Sequence, residues 1–298
     1  MLRDFVDCPS LFYLKHVLGL RKRYRDPTSS GNLDWGSCWH EVMFAFMEAK
    51  DLSLDDRIVK GLQAIEEHYP AYLTPDNDKM KRSKERMVEQ FFAYVKIWTR
   101  MEGEYEILRN EQYFDVYEPR IDLRWCGRID SIRRVIRNKK IRIWDYKTTK
   151  QMGEHFFDQF EVSFQFPGYV WAGSRLLTDE VNEITVDLMY TVSPGSKVCP
   201  GGFDFFQRTF RYDEHRLAEW ERNVKMWVDR IMYLLDNHLY EPEMWSKNWN
   251  QCNRYGQCSF FSVHSMNPVG EGRLLTLRDD YIVERWDPSA RAGEDYDT

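Results

Sequence analysis

Two stretches of the sequence decide the predicted fold, residues 127–130 (GRID) and residues 141–148 (IRIWDYKT). Both have the character of β-strands, and the polar turn at residues 137–140 joins them. In the second stretch Asp145 and Lys147 share one face with two isoleucines, because successive side chains of a strand point to opposite faces. The pattern therefore predicts neighbouring strands that carry a carboxylate and an ammonium group side by side.

A second carboxylate, that of Asp130, is expected beside Asp145 on the neighbouring strand. Two carboxylates suit a hard divalent cation such as Mg²⁺, which takes oxygen ligands and keeps several waters. A metal ion with a nearby lysine can polarise a phosphodiester and position or activate the attacking water. The alternative is a surface hairpin with a salt bridge, since Asp-x-Lys is common by chance.

Length and composition limit the classes of protein that fit. With 298 residues the chain has room for one large domain or two modest ones, and 15% aromatic residues favour a packed globule over a disordered chain. We expect no membrane span, because no run of 18 apolar residues occurs, and no signal peptide, because the N-terminal residues lack an apolar stretch. Six cysteines in so long a chain favour a reducing, cytoplasmic setting over a disulfide framework. The net charge of −6 does not by itself indicate a nucleic-acid binder.

The periodicity of apolar residues predicts a helical N-terminal region followed by a core of strands and helices. Helices are predicted over residues 4–20, 34–50, 55–69, 83–103, 160–177 and 213–237, the last capped by Asp213. Strands are predicted over residues 106–117, 121–126, 128–136, 141–147, 184–192 and 203–211, the first four as an antiparallel meander. We expect a single domain over residues 1–286, with subregions of about 1–105, 106–240 and 241–286, the last mostly irregular. Residues 287–298 are predicted to form an acidic tail.

Histidine and cysteine residues supply further candidate metal ligands. His40 lies in the predicted helix 34–50, one turn after Gly36, where the alternative is a half-buried structural histidine. The spacing Cys-x5-Cys-x5-His of Cys252, Cys258 and His264 is not that of a zinc finger. The loop around these residues is polar and has neither helical nor strand periodicity. A metal ion that stabilises this loop is therefore a reasonable hypothesis.

Four motifs together resemble the RecB-like branch of the PD-(D/E)xK nuclease superfamily, especially its phage and CRISPR-associated exonucleases. They occur in the family's order and are GxxxH at residues 36–40, GRID at 127–130, DYKT at 145–148 and QxxxY at 165–169. Each motif is weak alone, but their order along most of the chain, roughly residues 1–264, is specific. The resemblance implies an α/β (α+β) fold of the restriction-endonuclease type, with a central mixed sheet flanked by helices.

The resemblance also implies an activity, the metal-dependent hydrolysis of DNA by an exonuclease that uses Mg²⁺ or Mn²⁺. Its metal ligands would be His40, Asp130, Asp145 and the backbone carbonyl of Tyr146. Lys147 would be the catalytic lysine, and Gln165 and Tyr169 would contact DNA or orient the site. The expected partners are DNA and a recombination or helicase protein, in the cytoplasm of a bacterium or a phage-infected cell. The alternative is a catalytically silent DNA-binding or assembly subunit of the same fold.

The segment around Cys8 is similar to the region of the family's first iron–sulfur cysteine. Members with the cluster carry three more cysteines near the C-terminus, whereas this chain has Cys252, Cys258 and then His264. Three thiolates and one imidazole suit either [4Fe–4S] or, less expected here, zinc. The third alternative is a relic that binds neither.

Overall fold

The structure, a computed structural model, describes residues 1–23, 31–76, 78–120, 122–153, 155–177, 179–253, 257–267 and 270–285. The chain forms two compact units. One combines Met1–Arg25, Glu118–Leu123 and Ala218–Thr298, and the other combines Asp26–Tyr117 and Arg124–Leu217. The expectation of one nuclease domain over residues 1–286 stays a prediction, and the predicted tail 287–298 lies outside the described residues. No helix in the described part of the chain is both long and apolar enough to cross a membrane.

The helices agree with most of the predicted ranges to within a few residues. They are α1 (Leu2–Asp7), α2 (Pro9–Phe12), α3 (Gly31–Glu48), α4 (Leu54–His68), α5 (Lys84–Met101), α6 (Asp158–Glu161), α7 (Gln165–Leu176), α8 (Glu214–His238), α9 (Phe261–Ser265) and α10 (Glu271–Asp280). Local capping explains several starts. Ser53 and Ser83 accept the Asp56 and Arg86 N–H groups at the starts of α4 and α5. The predicted cap at Asp213 is confirmed, because its Oδ1 accepts the Arg216 N–H at 2.9 Å.

The strands form one large and one small sheet. They are β1 (Leu20–Lys22), β2 (Tyr105–Glu118), β3 (Leu123–Val135), β4 (Ile141–Thr149), β5 (Val181–Thr191), β6 (Phe203–Arg211) and β7 (Tyr281–Val283). The five-stranded sheet has the order β2-β3-β4-β5-β6. Its β3–β4 and β5–β6 pairs are antiparallel and its β4–β5 pair is parallel. The predicted fold class, a mixed sheet with flanking helices, is therefore confirmed.

Strand β4 is buried on both faces, as expected of a central strand joined to a parallel neighbour through a helix. On one face Ile143 packs close to Gly173 of α7, where an added Cβ would lie 3.1 Å from the isoleucine. On the other face Trp144 and Tyr146 belong to the buried cluster that contains residues of α3, α4 and α5. The surface-hairpin alternative for this stretch is therefore wrong.

Several predicted boundaries are wrong for identifiable reasons. Residues 123–135 form the single strand β3, since Gly127 does not end a strand but makes room for the Phe114 ring, 2.8 Å from where a Cβ would lie. The helix predicted over 160–177 is α6 and α7 with a break between them, where Ser163 Oγ accepts the Gln165 N–H. The helix predicted over 4–20 is also interrupted, because Pro9 starts a new helix that continues as a π-helical turn.

The unit formed by the two ends of the chain has its own aromatic core. Trp245 packs against Phe5, Phe12 and Tyr13 of the N-terminal segment with ring centroids 5.0–6.5 Å apart. Strand β1 pairs antiparallel with β7, so that Leu20 lies opposite Val283. Helix α10 and strand β7 show that the last sixty residues are less irregular than predicted.

Candidate active site

Strands β3 and β4 bring Asp130 and Asp145 together, as the sequence predicts. Ser131 lies opposite Trp144 in the antiparallel register, which places the two aspartates opposite each other one step further along. The Tyr146 N–H donates to Asp130 Oδ2 at 2.8 Å. Lys147 Nζ lies 2.5 Å from Asp145 Oδ2, so the predicted pairing of ammonium and carboxylate is present.

Helix α3 supplies the imidazole of His40. Gly36, one turn earlier, lies where an added Cβ would be 3.0 Å from Thr148 Oγ1, so a residue without a side chain allows the helix to approach the end of β4. His40 Nδ1 then lies 3.3 Å from Asp130 Oδ2. The imidazole also contacts the Tyr146 ring edge to face, at 6.2 Å between centroids. The predicted histidine motif therefore brings an imidazole to the two aspartates.

Glu111 on β2 joins the site, although it belongs to none of the sequence motifs. One ligand atom each from His40, Glu111 and Asp130 lie within 4.8 Å of one another. Glu111 has a φ of +45°, in the left-handed region that residues with side chains rarely adopt. Such strain costs about 1–3 kcal/mol and is concentrated at functional sites. A lone glutamate in a predicted strand was the only signal in the sequence, and the backbone conformation was not readable from it.

Burial and mutual repulsion shape the ionisation of the carboxylates. Burial raises the pKa of Glu111 to about 7, and the charge of Asp130 adds to this effect. Burial also raises the pKa of Asp145 to about 6, even though the charge of Lys147 acts against it. A divalent cation relieves this repulsion, because it favours the charged form of every carboxylate around it.

The pKa values of His40 and Asp130 are shifted in the opposite sense, toward the charged form of each group. Burial acts to raise the pKa of Asp130, but the charge and hydrogen bond of His40 outweigh it and lower the pKa below its usual value. Burial likewise lowers the pKa of His40, whereas Asp130 raises it by more, so that the pKa lies above its ordinary value. Each group thus stabilises the charged form of the other.

The donor set fits a divalent metal ion. Glu111 Oε2 and Asp145 Oδ2 are buried and accept no well-aligned hydrogen bond from the described part of the chain. Oxygen ligands suit Mg²⁺ and Mn²⁺, and the imidazole nitrogen is compatible with Mn²⁺. Each of the two oxygens lies 2.5 Å from a cationic side chain, Arg128 for Glu111 and Lys147 for Asp145, and a bound divalent cation would add a stronger positive charge beside them.

Gln165 and Tyr169 lie on the first turns of α7, next to these residues. Gln165 Nε2 donates to the Tyr169 hydroxyl at 2.6 Å. Burial raises the pKa of Tyr169, and the charges of Asp145 and Asp130 contribute to the same shift. The structure therefore places the QxxxY motif at the edge of the carboxylate cluster.

The predicted cysteine set lies in the unit formed by the two chain ends. Cys8 Sγ accepts the Asn248 N–H at 3.5 Å, and Cys252 Sγ lies 4.0 Å from the carbonyl oxygen of the same asparagine. Burial raises the pKa of Cys258, and the charges of Cys252 and Cys8 add to it. The three thiols are therefore near neighbours.

The four side chains are not as close together as the ligands of a single metal ion would be. Within the described ranges, no three of Cys8, Cys252, Cys258 and His264 have ligand atoms that all lie within 4.8 Å of one another. His264 Nε2 instead lies 3.0 Å from Ser10 Oγ, and Nδ1 is buried without a hydrogen bond from the described residues. An iron–sulfur cluster or zinc at this set stays a prediction.

Comparison with known proteins identifies the family to which the chain belongs. The family model of the PD-(D/E)XK nuclease superfamily matches residues 1–261. The chain belongs to this superfamily and is a nuclease. No curated protein matches the sequence significantly.

The chain also shows a weak structural likeness to two solved structures of low sequence identity. The crystal structure of an exonuclease candidate from Eubacterium rectale is 12% identical with a TM-score of 0.49, and the match covers 92% of this chain and 91% of that one. The crystal structure of SSO0001 is 15% identical with a TM-score of 0.25, over 48% of this chain and 65% of that one. Neither likeness is close enough to assign a substrate.

Proposed function

We propose that the protein is a divalent-metal-dependent deoxyribonuclease, most specifically an exonuclease that acts in DNA processing or recombination. The observation that supports this proposal is the meeting of His40, Glu111 and Asp130 beside the Asp145–Lys147 pair. Three carboxylates, an imidazole and an ammonium group in one partly buried cluster suit the hydrolysis of a phosphodiester better than a purely structural role.

The metal ligands are His40, Asp130, Asp145 and Glu111, together with the backbone carbonyl of Tyr146. A bound Mg²⁺ or Mn²⁺ supplies Lewis-acid stabilisation of the charge that develops on the phosphate. The Tyr146 N–H and His40 orient the Asp130 carboxylate, because both contact its Oδ2.

Lys147 is the catalytic lysine of this proposal. Its ammonium group lies at the half-exposed end of an otherwise buried strand face, with 29% of the side chain exposed. There it can donate to the scissile phosphate or to the attacking water while Asp145 holds it in place. Gln165 and Tyr169 contact the DNA or orient the site from the neighbouring helix.

Digestion of end-labelled DNA tests the proposal. Linear single-stranded and double-stranded DNA, a closed circle of the same sequence and a matched RNA are incubated with Mg²⁺, Mn²⁺, Ca²⁺ or chelator. We expect mononucleotides or short products from linear DNA with Mg²⁺ or Mn²⁺, and an intact circle. Cleavage of the circle would indicate an endonuclease, and cleavage of RNA alone would indicate a different substrate. Binding of DNA without cleavage under every condition would support the catalytically silent subunit instead.

A further inference from the structure

Arg128 is a positively charged residue beside the site that has no role in the proposed hydrolysis. It lies on β3 two residues before Asp130 and therefore on the same face of the strand. Its Nε atom is 2.5 Å from Glu111 Oε2, and 43% of the side chain is exposed while Glu111 is 13% exposed. The guanidinium thus reaches from solvent onto one of the residues that could hold the metal.

Glu111 has two competing partners in this arrangement. One of its carboxylate oxygens belongs to the group that lies within 4.8 Å of His40 and Asp130. The second partner is Arg128, whose Nε lies close to Glu111 Oε2. Its N–H is nevertheless not aligned for a hydrogen bond, because Oε2 has no hydrogen-bond partner among the described residues. A divalent ion has twice the charge of a guanidinium and binds carboxylate oxygens directly, so a bound ion would compete with Arg128 for Glu111.

A second arginine on the same strand shows what a committed ion pair looks like. Arg124 Nε donates to Asp115 Oδ1 at 2.7 Å and its Nη2 donates to Oδ2 at 2.6 Å. Both hydrogen bonds are aligned, and the pair joins the same two strands four residues further along. Arg124 is therefore held by the two-pronged geometry that guanidinium and carboxylate prefer, whereas Arg128 is held by charge alone.

We propose that Arg128 is a DNA-binding residue that the metal releases from Glu111. When the ion occupies the site, Glu111 turns to it, and the guanidinium becomes free to bind a phosphate oxygen of the DNA beside the scissile bond. A guanidinium matches a phosphate with two parallel hydrogen bonds, which an ammonium group cannot reproduce. Metal binding and DNA binding are then positively coupled. This inference rests on the proposed nuclease function.

The test uses the variants Arg128→Met, Arg128→Lys and, as matched control, Arg124→Met. Calorimetric titration with Mn²⁺ in the absence of DNA measures the competition directly. We expect Arg128→Met to bind Mn²⁺ about three- to tenfold more tightly than the wild type, because Glu111 no longer has a competing cation. Arg128→Lys should stay close to the wild type, and Arg124→Met should not change.

Binding of labelled DNA supplies the second measurement. In Ca²⁺, used as an ion that need not support cleavage, the wild type should bind DNA more tightly than in chelator. This gain in DNA affinity should fall about tenfold or more in Arg128→Met and in Arg128→Lys. Lysine keeps the positive charge but lacks the two parallel N–H donors of the guanidinium. In Mg²⁺ the KM for DNA should rise in both variants by more than kcat falls.

The two affinities move in opposite directions only if Arg128 exchanges partners. A residue that merely supports the fold would weaken metal and DNA binding together when replaced, and that result overturns the inference. Unchanged Mn²⁺ affinity in Arg128→Met overturns it as well. A wild type that cleaves no DNA contradicts the proposed function, while the metal and DNA titrations still decide the role of Arg128.

Discussion

At the level of single residues, the proposed chemistry depends most on Asp145 and Lys147. We expect Asp145→Ala and Lys147→Ala each to reduce cleavage on the order of a thousandfold or more, because each removes a group that would contact the metal or the phosphate in the proposed mechanism. The fold should be retained in Asp145→Ala, since the Asp145 carboxylate is buried beside Asp130 and its removal relieves repulsion, and in Lys147→Ala, since Asp145, whose pKa is already raised to about 6, can bind a proton in place of the ion pair. Initial rates on end-labelled DNA and thermal melts of each variant check both statements.

The control for this pair is Lys140→Ala, a half-exposed lysine just before the same strand, 45% exposed and beside Glu183. It should cleave like the wild type. Rates like those of the wild type in Asp145→Ala or Lys147→Ala would show that the site lies elsewhere.

We expect His40 to set the preference for the metal ion. Imidazole nitrogen suits Mn²⁺ better than Mg²⁺, so Mn²⁺ should support higher activity, and His40→Ala should weaken Mn²⁺ binding in calorimetry. The control is His68→Ala, whose side chain is 47% exposed on α4. If the titration of His40→Ala matches that of the control, His40 is a structural histidine, as the alternative interpretation of its helix holds.

Asp78 and Arg82 form an ion pair that should stabilise the fold in a pH-dependent way. Both are buried, and Arg82 donates to the carboxylate from Nε and Nη2 at 2.6 Å. Burial acts to raise the pKa of Asp78, but the hydrogen bonds and charge of Arg82 outweigh it, so that the pKa lies below its usual value. The stabilisation is therefore complete above about pH 4 and is lost as the pH falls through the lowered pKa.

We expect Asp78→Ala to reduce the free energy of unfolding by about 3–5 kcal/mol at pH 7, because it leaves a buried arginine without its carboxylate. The difference from the wild type should shrink below about pH 4. Chemical denaturation at a series of pH values measures this difference. The control is Asp115→Ala, which removes the exposed ion pair with Arg124 and should change the free energy of unfolding little. A difference that is the same at pH 3 and pH 7 would contradict the assignment.

At the level of helices and strands, the contact between α4 and α5 depends on one glycine. A Cβ on Gly61 would overlap the Phe91 ring, whereas a Cβ on Gly272 in α10 would meet nothing within 4 Å. Gly→Ala in a helix ordinarily stabilises by roughly 0.4–1 kcal/mol. We therefore expect Gly272→Ala to stabilise the protein, and Gly61→Ala to destabilise it by about 1–3 kcal/mol through overpacking.

Denaturation curves of the two glycine variants check this contrast in one chain. Alanine favours the helix at both positions, so a destabilised Gly61→Ala beside a stabilised Gly272→Ala reports the steric cost at Phe91. An equal increase in the free energy of unfolding for both variants would show that α4 can move away from α5 without a loss of stability.

Most elements of the fold were predictable from the sequence because their periodicity is strong. The alternation in β4 predicted the neighbourhood of Asp145 and Lys147, and the spacing on α3 placed His40 in a helix. Local patterns failed where a tertiary contact decides the local structure. The pattern around Gly127 predicts the end of a strand, whereas in the structure this glycine accommodates Phe114 within β3.

The candidate site could be predicted only where its residues belong to recognisable motifs. Asp130, Asp145 and His40 each belong to one. Glu111 does not, and its approach to the site depends on a left-handed backbone conformation within β2. Arg128 is part of the GRID motif, but its contact with Glu111 is visible only once two strands are paired.

At the level of the whole molecule, the cysteine set connects the first helix segment with the C-terminal region. If Cys8, Cys252, Cys258 and His264 share a metal ion or cluster, the site closes a loop of nearly the whole chain and adds folding free energy directly. Cys252→Ser should then lower the melting temperature and promote aggregation, whereas Asp145→Ala should not. Thermal melts and light scattering compare the two variants.

Colour and elemental analysis show which metal, if any, the cysteine set binds. An iron–sulfur cluster makes the anaerobically purified protein brown, with broad absorption near roughly 400 nm. Zinc leaves it colourless but is found by metal analysis. Protein prepared without oxygen or chelator that contains neither metal would show that the four residues have separate packing roles.

The construction of one unit from both chain ends has a consequence during synthesis. Phe5, Phe12 and Tyr13 leave the ribosome first, but their partner Trp245 and the strand Tyr281–Val283 follow more than two hundred residues later. At about 5–20 residues per second, the interval is on the order of 10–50 s. During this time the aromatic N-terminal segment is a nascent chain without its core, so ribosome-bound chains arrested before residue 245 should be cut there by protease far faster than the released protein.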